Sequence, residues 1–244
     1  MQFLKKDPSD VQFGHEVIPA ILVRTFAELK DRISRVEGRV RTAQIDVMDG
    51  VFVPNYTWPY ESHASALDDG SSAGDIDDLD KLETKLALEI HLMVVNPEEQ
   101  LHEWLIHGEV KRVLIHPEST QKLETCLDIV RDAKREVGLA LHLETPLEVL
   151  THIMDRVSHV QLMGIAKTGF GGQPFDERVI PRVRKLRAMY PHCTIAVDGG
   201  ISRETGPRVI AAGGDVLVAG SVLFSSPNIE ETLTQLRNGA PTRR

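Results

Sequence analysis

Two carboxylates lie three residues apart in the stretch QIDVMDG, which covers residues 44–50. Asp46 is near the end of an apolar run, and Asp49 begins a loop that contains glycine, proline and asparagine. Another carboxylate, Asp198, ends a later apolar run and precedes a glycine pair. If Asp46 and Asp198 face each other, they can remove a proton from one face of a carbon and return it to the other. This arrangement predicts epimerisation through an enediolate.

An enediolate carries negative charge, and a divalent metal ion held by histidine and aspartate side chains can stabilise that charge. Among the histidines, His91 in the third apolar run is the best candidate for a metal ligand. Helix capping or a structural salt bridge is the alternative interpretation of the two aspartates.

Glycine-containing loops follow three later apolar runs. Because glycine has no Cβ atom, backbone N–H groups can approach an anion there, and a helix N-terminus favours negative charge. Barrel enzymes often bind phosphate with the loops after strands seven and eight. We therefore predict a phosphate site in these loops, which contain Gly169, Phe170, Gly171, Gly172, Gly199, Gly200, Gly220 and Ser221.

Apolar runs alternate with amphipathic stretches along most of the chain. Eight runs interleaved with helical patterns favour a closed parallel barrel, so the predicted fold class is α/β, a (β/α)8 TIM barrel. The predicted strands are Val17–Val23, Thr42–Met48, Leu86–Val94, Arg112–His116, Leu139–Leu143, His159–Met163, Thr194–Asp198 and Asp215–Ala219. Predicted helices include FAELKDRISRVE, PEEQLHEWLIHG, LETCLDIVRDAKREVG, DERVIPRVRKLRAMY and SRETGPRVIAAG.

The carboxyl ends of barrel strands form the active face, and chemically capable side chains cluster at those ends. They are Asp46, Met48, Asp49, His91, Met93, His116, His142, Met163 and Asp198. A single histidine at a strand end is most often structural. Strands two to seven all end in such residues, however, which indicates a shared site.

The length of 244 residues suits one large barrel and requires no second domain. We expect a polar lead-in over residues 1–15 and a single barrel domain over residues 16–240. The acidic segment Ala66–Lys81, rich in glycine and serine, is predicted to be a solvated loop.

Apolar residues make up 41% of the chain and charged residues 26%, as in a folded globular protein. The net charge of −8, without a basic stripe, argues against nucleic acid or an anionic membrane as a partner. An anionic ligand must then be held by local dipoles. The two cysteines lack metal-type spacing, and the chain has neither a membrane-length apolar run nor a signal-peptide pattern. These features predict a cytoplasmic protein. A homo-oligomer is compatible with the sequence.

Six motifs resemble the ribulose-phosphate 3-epimerase family and occur in the family's order: IDVMDGVFVPN, HLMV followed by NP, ETPLEVL, GFGGQPF, VDGGI and VAGSVLF. They extend roughly from Pro19 to Phe224. The resemblance implies a (β/α)8 barrel that interconverts D-ribulose 5-phosphate and D-xylulose 5-phosphate. It also implies a divalent metal ion, which could be Zn, Mn, Mg or Fe.

The same resemblance implies roles for individual residues. Asp46 and Asp198 would be the acid/base pair and, together with His91 near the substrate, the metal ligands. The methionines that would pack beside the enediolate are Met48, Met93 and Met163. The glycine loops after strands six, seven and eight would hold the phosphate end of the substrate.

Several positions depart from the family pattern. Gln44 stands where the family has a histidine metal ligand, and Ala20 stands where it has a substrate-contacting serine. The segment after strand six is one residue longer and carries Lys167, and His142 stands in place of an asparagine. An amide oxygen binds zinc more weakly than imidazole does. We therefore predict that metal binding is weak or absent. A site with Gln44 should accept Mn²⁺ or Mg²⁺ more readily than a site with the family's histidine would.

Three functional hypotheses follow. The leading one is an epimerase of a phosphorylated ketose with metal-assisted proton transfer. The second is a metal-free phosphosugar enzyme in which Lys167 or His142 stabilises the oxyanion; decarboxylating barrels instead have an Asp-x-Lys-x-x-Asp run, which IDVMDG lacks. The third is a non-catalytic phosphosugar-binding barrel, which the retention of both aspartates disfavours.

Overall fold

A computed structural model describes residues 15–60 and 74–239. Within them, eight parallel strands pair in chain order and close into a barrel, which confirms the predicted (β/α)8 fold. The strands are β1 (Glu16–Ile21), β2 (Thr42–Met48), β3 (Ala87–Met93), β4 (Val110–Ile115), β5 (Glu136–Leu141), β6 (His159–Met163), β7 (Thr194–Asp198) and β8 (Val216–Ala219). Except for its last residue, the expected lead-in lies outside the described residues.

Helices alternate with the strands and pack against the barrel. They are α1 (Phe26–Val36), α2 (Leu101–Leu105), α3 (Leu123–Asp132), α4 (Val179–Met189), α5 (Thr205–Ala212), α6 (Ser221–Phe224) and α7 (Ile229–Asn238). Thr25 begins α1 with a capping box, because its hydroxyl accepts from the Glu28 N–H while the Glu28 carboxylate accepts from the Thr25 N–H. In the described part of the chain, no helix combines the length and apolar character needed to cross a bilayer.

Three strands, β2, β6 and β7, have the predicted bounds, whereas β4 and β5 begin earlier than predicted. The pattern LETCLDIVRDAKREVG predicts a helix that reaches Gly138, but α3 ends at Asp132. Lys134 then adopts a left-handed conformation with φ of 58°, and the chain enters β5 at Glu136. Gly138 lies inside that strand, where a Cβ atom would come within 2.5 Å of Leu114 Cδ2. Close packing between strands, and not the end of a helix, therefore explains this glycine.

Two other segments also differ from the predictions. PEEQLHEWLIHG contains a 3₁₀ turn at Pro97–Glu99 and the short helix α2 in place of one long helix. In the acidic segment 66–81, residues 66–73 lie outside the described part, and Ile76–Lys81 form a 3₁₀ helix capped by Asp75. Ile76 and Leu79 are buried three residues apart on that helix. The acidic composition of this segment predicts a solvated loop. Residues 76–81 instead form a short helix, because Ile76 and Leu79 pack into the protein.

The main apolar core lies between the outer face of the barrel and the helices. Alternate strand residues such as Ile45 and Val47 contribute to it, and Trp58 packs edge-to-face on Trp104 with ring centroids 5.8 Å apart. A separate apolar cluster inside the barrel contains Ile18, Ala20, Ala196, Val216 and Val218. These residues come from β1, β7 and β8, and the interior on the side of β2 to β6 carries buried polar side chains.

A buried ion-pair network lies along β3, β4 and β5. Glu89 is fully buried and accepts a hydrogen bond of 2.6 Å from Arg112 Nη1, while Arg112 Nη2 lies 2.7 Å from Glu136. The parallel register places the three residues side by side on adjacent strands. Burial raises the pKa of Glu89 above its ordinary value, and the charge of Arg112 opposes that shift. Arg112 is therefore the compensating charge for a carboxylate that has no access to water.

Replacing Arg112 with methionine should destabilise the protein by about 3–5 kcal/mol at neutral pH, because it leaves the Glu89 carboxylate buried without its partner. Glu136→Gln is the matched control and should cost less than about 1 kcal/mol, since its side chain is 41% exposed. Urea denaturation measures both. A buried carboxyl with a raised pKa binds its proton in the folded state, so the deficit of Arg112→Met should shrink as the pH falls through that pKa. Equal costs for the two variants would contradict this account.

Candidate active site

The strand register brings the predicted chemical residues together at the carboxyl ends of the strands. Asp46 on β2 pairs with His91 on β3, and Asp198 on β7 pairs with Met163 on β6. Since side chains alternate along a strand, Gln44 lies on the same inward face as Asp46, one layer deeper in the barrel. The site therefore rests on rigid strands and not on loops.

Asp46, His91 and Asp198 form a compact buried cluster. His91 Nδ1 lies 3.1 Å from Asp46 Oδ1 and 3.5 Å from Asp198 Oδ2. One side-chain oxygen or nitrogen from each residue lies within 4.8 Å of the other two. His91 is fully buried, and the two aspartates are only 7% and 8% exposed. The cluster thus brings together two carboxylates and one imidazole with little access to water.

Two glutamine amides join this cluster from the layer below. Gln44 Nε2 donates to Asp46 Oδ1 at 2.7 Å and to Asp198 Oδ2 at 3.1 Å. Gln161 Nε2, from the middle of β6, donates to the same Asp198 oxygen at 3.0 Å. Gln161 is not among the site residues predicted from the sequence, although a glutamine between the apolar residues Val160 and Leu162 is an available signal.

The environment raises the pKa of both Asp198 and His91. Burial raises the pKa of Asp198 well above its usual range, and the nearby Asp46 carboxylate raises it further. Burial opposes protonation of His91, but the hydrogen bond and charge of Asp46, with the charge of Asp198, raise its pKa above the ordinary value. These shifts show that the carboxylates and the imidazole interact strongly.

A chain of histidines leads away from the cluster beneath the surface. His91 Nε2 lies 2.9 Å from His116 Nε2, and His116 Nδ1 lies 3.4 Å from Glu118. His116 stacks between His91 and His142, with ring centroids 5.1 and 4.7 Å apart. Burial lowers the pKa of His116 to about 3, although Glu118 opposes that shift, so the ring stays neutral near pH 7. A neutral His116 can accept from His91 Nε2–H, which leaves His91 Nδ1 as the nitrogen that faces the aspartates.

A cavity of about 300 Å³ opens above the cluster. Asp46 and Asp198 line it, whereas His91 lies beneath them, outside the cavity wall formed by the described residues. The predicted residues that also line the cavity are Met48, Met93, Met163, Gly169, Phe170, Gly171, Gly172, Gly199, Gly200, Gly220 and Ser221. The acid pair, the methionines and the glycine loops therefore share one cavity of a size suited to a small ligand.

Two of the cavity glycines are required by their geometry. Gly199 and Gly200 have φ angles of +99° and +68°, in the left-handed region that side chains disfavour. A Cβ atom on Gly200 would lie 2.5 Å from Phe175 Cα, and one on Gly199 would lie 2.9 Å from Ile165. The loop after β7 thus lies close to the chain after β6, where the two loops line the cavity together.

Three residues with suggestive chemistry lie outside this cavity. Asp49 holds loops together: its Oδ1 accepts from the N–H groups of Val51 and Phe52, and its Oδ2 accepts from the Val95 N–H. His142 bonds Thr168 Oγ1 at 2.9 Å, and Lys167 is exposed. Neither Lys167 nor His142 is among the described residues that line the cavity.

Ala20 on the first strand lies at the cavity wall. Ala20, which stands where the resemblance implies a serine, lines the cavity next to Gly220. A Cβ atom on Gly220 would lie 3.1 Å from the Ala20 carbonyl oxygen. That part of the cavity wall therefore offers a methyl group in place of a hydroxyl.

Comparison with known proteins identifies the family. The model of the Ribulose-phosphate 3 epimerase family matches residues 16–224, which is most of the chain. The chain belongs to the ribulose-phosphate 3-epimerase family. It is 31% identical over 229 residues to the ribulose-phosphate 3-epimerase of Bacillus subtilis, covering 91% of this chain and 98% of that one. With the enzyme of the same name from Synechocystis it shares 32% identity, covering 91% and 93% of the two chains. Membership confirms the resemblance and the predicted isomerase class.

Solved structures support the epimerase family's barrel fold. A 3-hexulose-6-phosphate synthase from Salmonella typhimurium superposes with a TM-score of 0.64 at 14% identity, covering 92% of this chain and 97% of that one. A tryptophan synthase α-subunit from Pyrococcus furiosus gives a TM-score of 0.64 at 15% identity, with coverage of 92% and 98%. At these identities the likeness concerns the fold alone.

The residues of the cluster fit a divalent metal ion, which the resemblance to the epimerase family implies. Asp46, His91 and Asp198 supply three ligand-type atoms, the usual number of protein ligands in a catalytic metal site. Gln44 Oε1 and Gln161 Oε1 are buried and have no hydrogen-bond partner among the described residues. The site therefore also contains amide oxygens that no protein donor uses, and such oxygens suit a hard cation.

Gln44 contacts the cluster of Asp46, His91 and Asp198, so its side chain should affect the affinity for zinc. Gln44→His should raise zinc affinity by about 10-fold or more, because an imidazole nitrogen binds zinc better than an amide does and even indirect changes alter affinity by about 10–100-fold. Isothermal titration of metal-stripped wild type and variant with Zn²⁺ measures the change. Ala20→Ser, on the adjacent strand, is the control and should leave the affinity unaltered. Equal affinities would show that position 44 does not belong to the metal site, and no binding by either protein would favour the metal-free hypothesis.

Proposed function

We propose that this protein epimerises a phosphorylated pentulose at carbon 3, interconverting D-ribulose 5-phosphate and D-xylulose 5-phosphate. The observation that carries the proposal is the pair Asp46 and Asp198, buried side by side at the base of a cavity whose other end is built from glycine loops. Family membership over residues 16–224 supports the reaction class and the substrate.

The substrate's phosphate is proposed to bind at the loops after β6, β7 and β8. This end of the cavity is lined by six glycines near Ser221, the first residue of α6. Backbone N–H groups there can hold a dianion although the protein carries a net charge of −8. Anchoring one end of the substrate extends its carbon chain toward the aspartates and limits its motion at the reacting carbon.

Asp46 and Asp198 are proposed to be the two proton carriers. Each uses one carboxylate oxygen in the buried cluster, Oδ1 of Asp46 and Oδ2 of Asp198, while both residues line the cavity. One aspartate removes the proton from carbon 3, and the other delivers a proton to the opposite face, which inverts the configuration. In the structure, hydrogen bonds from the amides of Gln44 and Gln161 hold the carboxylates in position.

A divalent ion held by Asp46, His91 and Asp198 would supply positive charge that stabilises the enediolate oxygens. Three methionines, Met48, Met93 and Met163, line the same part of the cavity and exclude water from the carbanion-like carbon. His91 acts on the substrate only through the cluster, because it lies beneath the aspartates.

The geometry disfavours the two alternatives. In the metal-free hypothesis Lys167 or His142 would stabilise the oxyanion, but Lys167 is exposed outside the cavity wall and His142 is engaged with His116 and Thr168. The non-catalytic hypothesis does not explain why two carboxylates are buried together. Desolvating both is costly, and two negative charges do not help to bind an anion.

The phosphate assignment predicts the effect of a charge at Ser221. Ser221→Asp should raise KM for the pentulose phosphate by at least about 10-fold through like-charge repulsion, with a smaller effect on kcat. Ser34→Asp, on the exposed face of α1, is the matched control and should leave KM unchanged. If Ser221→Asp binds the substrate as tightly as wild type, the phosphate binds elsewhere in the cavity.

The proton-transfer assignment predicts that Asp46→Asn and Asp198→Asn each lower kcat by about 10²–10⁴-fold, because an amide keeps the shape of the carboxylate but carries no transferable proton. Binding of the phosphosugar should persist in both variants. Asp31→Asn, an exposed residue of α1, serves as the control.

The test of the function is direct. Wild type, stripped of metal and then supplied with Mn²⁺ or Zn²⁺, is incubated with D-ribulose 5-phosphate, and ¹³C NMR follows the appearance of D-xylulose 5-phosphate. Formation of that epimer supports the proposal. Near-native epimerisation of D-ribulose 5-phosphate by either aspartate variant would remove that residue from its assigned role, and the absence of any epimer from wild type would refute the function.

A further inference from the structure

Gln161 is a buried polar residue that neither the family resemblance nor the acid/base assignment explains. It is fully buried in the middle of β6, and its neighbours Val160 and Leu162 belong to the apolar core. Burying an amide is costly unless its atoms are hydrogen-bonded. The Nε2 atom of Gln161 is well placed, 3.0 Å from Asp198 Oδ2, but its Oε1 atom has no partner among the described residues.

The amides of Gln161 and Gln44 converge on the same two atoms from different strands. Gln161 Nε2 lies 3.0 Å from Asp198 Oδ2 and 3.4 Å from His91 Nδ1. Gln44 Nε2 lies 3.1 Å and 3.3 Å from those same atoms. Since β2 and β6 are on opposite sides of the eight-stranded barrel, the amides enclose the cluster from two sides.

An amide group can serve this cluster in two ways. With its NH₂ group toward the carboxylates it donates hydrogen bonds, which reduces the repulsion between Asp46 and Asp198. Rotation by 180° about the terminal torsion exchanges the nitrogen and the oxygen, which are nearly identical in size. The same side-chain position then presents an oxygen acceptor, the kind of atom that a hard divalent cation binds.

We infer that Gln161, together with Gln44, supplies amide oxygens to the metal site, which becomes a five-donor centre with the carboxylates of Asp46 and Asp198 and Nδ1 of His91. Four of the five donors are oxygens, a set that favours Mn²⁺ or Mg²⁺ over Zn²⁺. The second amide compensates for the loss of the histidine at position 44. The inference deepens the metal-assisted form of the proposed function, but it concerns metal binding and can be tested without substrate.

Titration calorimetry of the metal-stripped protein with Mn²⁺ and Zn²⁺ tests this inference. Gln161→Leu removes the oxygen donor and should weaken Mn²⁺ binding by about 10-fold or more, with a smaller loss for Zn²⁺. Gln161→Glu keeps the shape and offers a carboxylate oxygen, so it should bind Mn²⁺ at least as tightly as wild type. Gln235→Glu makes the same change on α7, far from the cluster, and should have no effect. If Gln161→Leu fails to fold, as judged by circular dichroism, Gln161→Glu carries the test.

A crystal structure of the Mn²⁺-loaded wild type identifies the donors, with the ion located by its anomalous scattering. Gln161 Oε1 should lie within the coordination distance of about 2.0–2.6 Å that hard cations show. The inference is overturned if the Gln161 amide lies more than about 3 Å from the ion, roughly a hydrogen-bond distance. It is also overturned if Gln161→Glu binds Mn²⁺ more weakly than wild type, if both Gln161 variants keep the wild-type affinities, or if wild type does not bind Mn²⁺. If wild type binds Mn²⁺ as expected yet forms no epimer, the proposed function fails and the metal site stands.

Discussion

Two carboxylates share one buried position at the mouth of this barrel, and their mutual repulsion is the constraint on which the rest of the site depends. Asp46 and Asp198 are each less than one-tenth exposed, and burial with this neighbouring charge raises the pKa of Asp198. Such a pair is costly unless nearby groups compensate its charge. The imidazole of His91 and the amide hydrogens of Gln44 and Gln161 provide this compensation in the structure, and a bound divalent cation would take the place of the amide hydrogens.

The same constraint explains why the barrel interior is polar on one side. The cluster continues through His91 to His116 and Glu118 in one direction. Deeper in the barrel, Glu89 and Arg112 form a further buried ion pair. The apolar cluster inside the barrel comes from β1, β7 and β8. The carboxylates are held from neighbouring strands, since His91 on β3 contacts Asp46 on β2 and Gln161 on β6 donates to Asp198 on β7.

Much of the fold and part of the site could be predicted from the sequence for a simple physical reason. Parallel strands end on one side of a barrel, so residues at strand ends, such as Asp46, His91 and Asp198, must meet there. Asp49 has the same chemistry as Asp46, but it lies three positions further along the chain. Side chains an odd number apart in an extended chain point to opposite faces, and Asp49 accordingly holds two loops together.

Other features depended on tertiary structure that sequence patterns do not carry. The start of β5 follows from the left-handed conformation of Lys134, a residue type that gives no signal for it. The role of Gln161 depends on which residues of β6 face the barrel interior, because Val160 and Leu162 beside it pack in the outer core while Gln161 reaches Asp198. Burial of Ile76 and Leu79 in an acidic segment likewise depends on what lies beneath them.

The central claim is that two carboxylates exchange protons with opposite faces of carbon 3. Epimerisation of D-ribulose 5-phosphate in D₂O, followed by ¹H NMR during the first turnovers, tests it most directly. The account predicts that D-xylulose 5-phosphate carries deuterium at carbon 3 from the start, because the proton removed by one aspartate is not the one delivered by the other. Product that retains the original carbon 3 proton would show that a single group moves it between faces and would contradict the account.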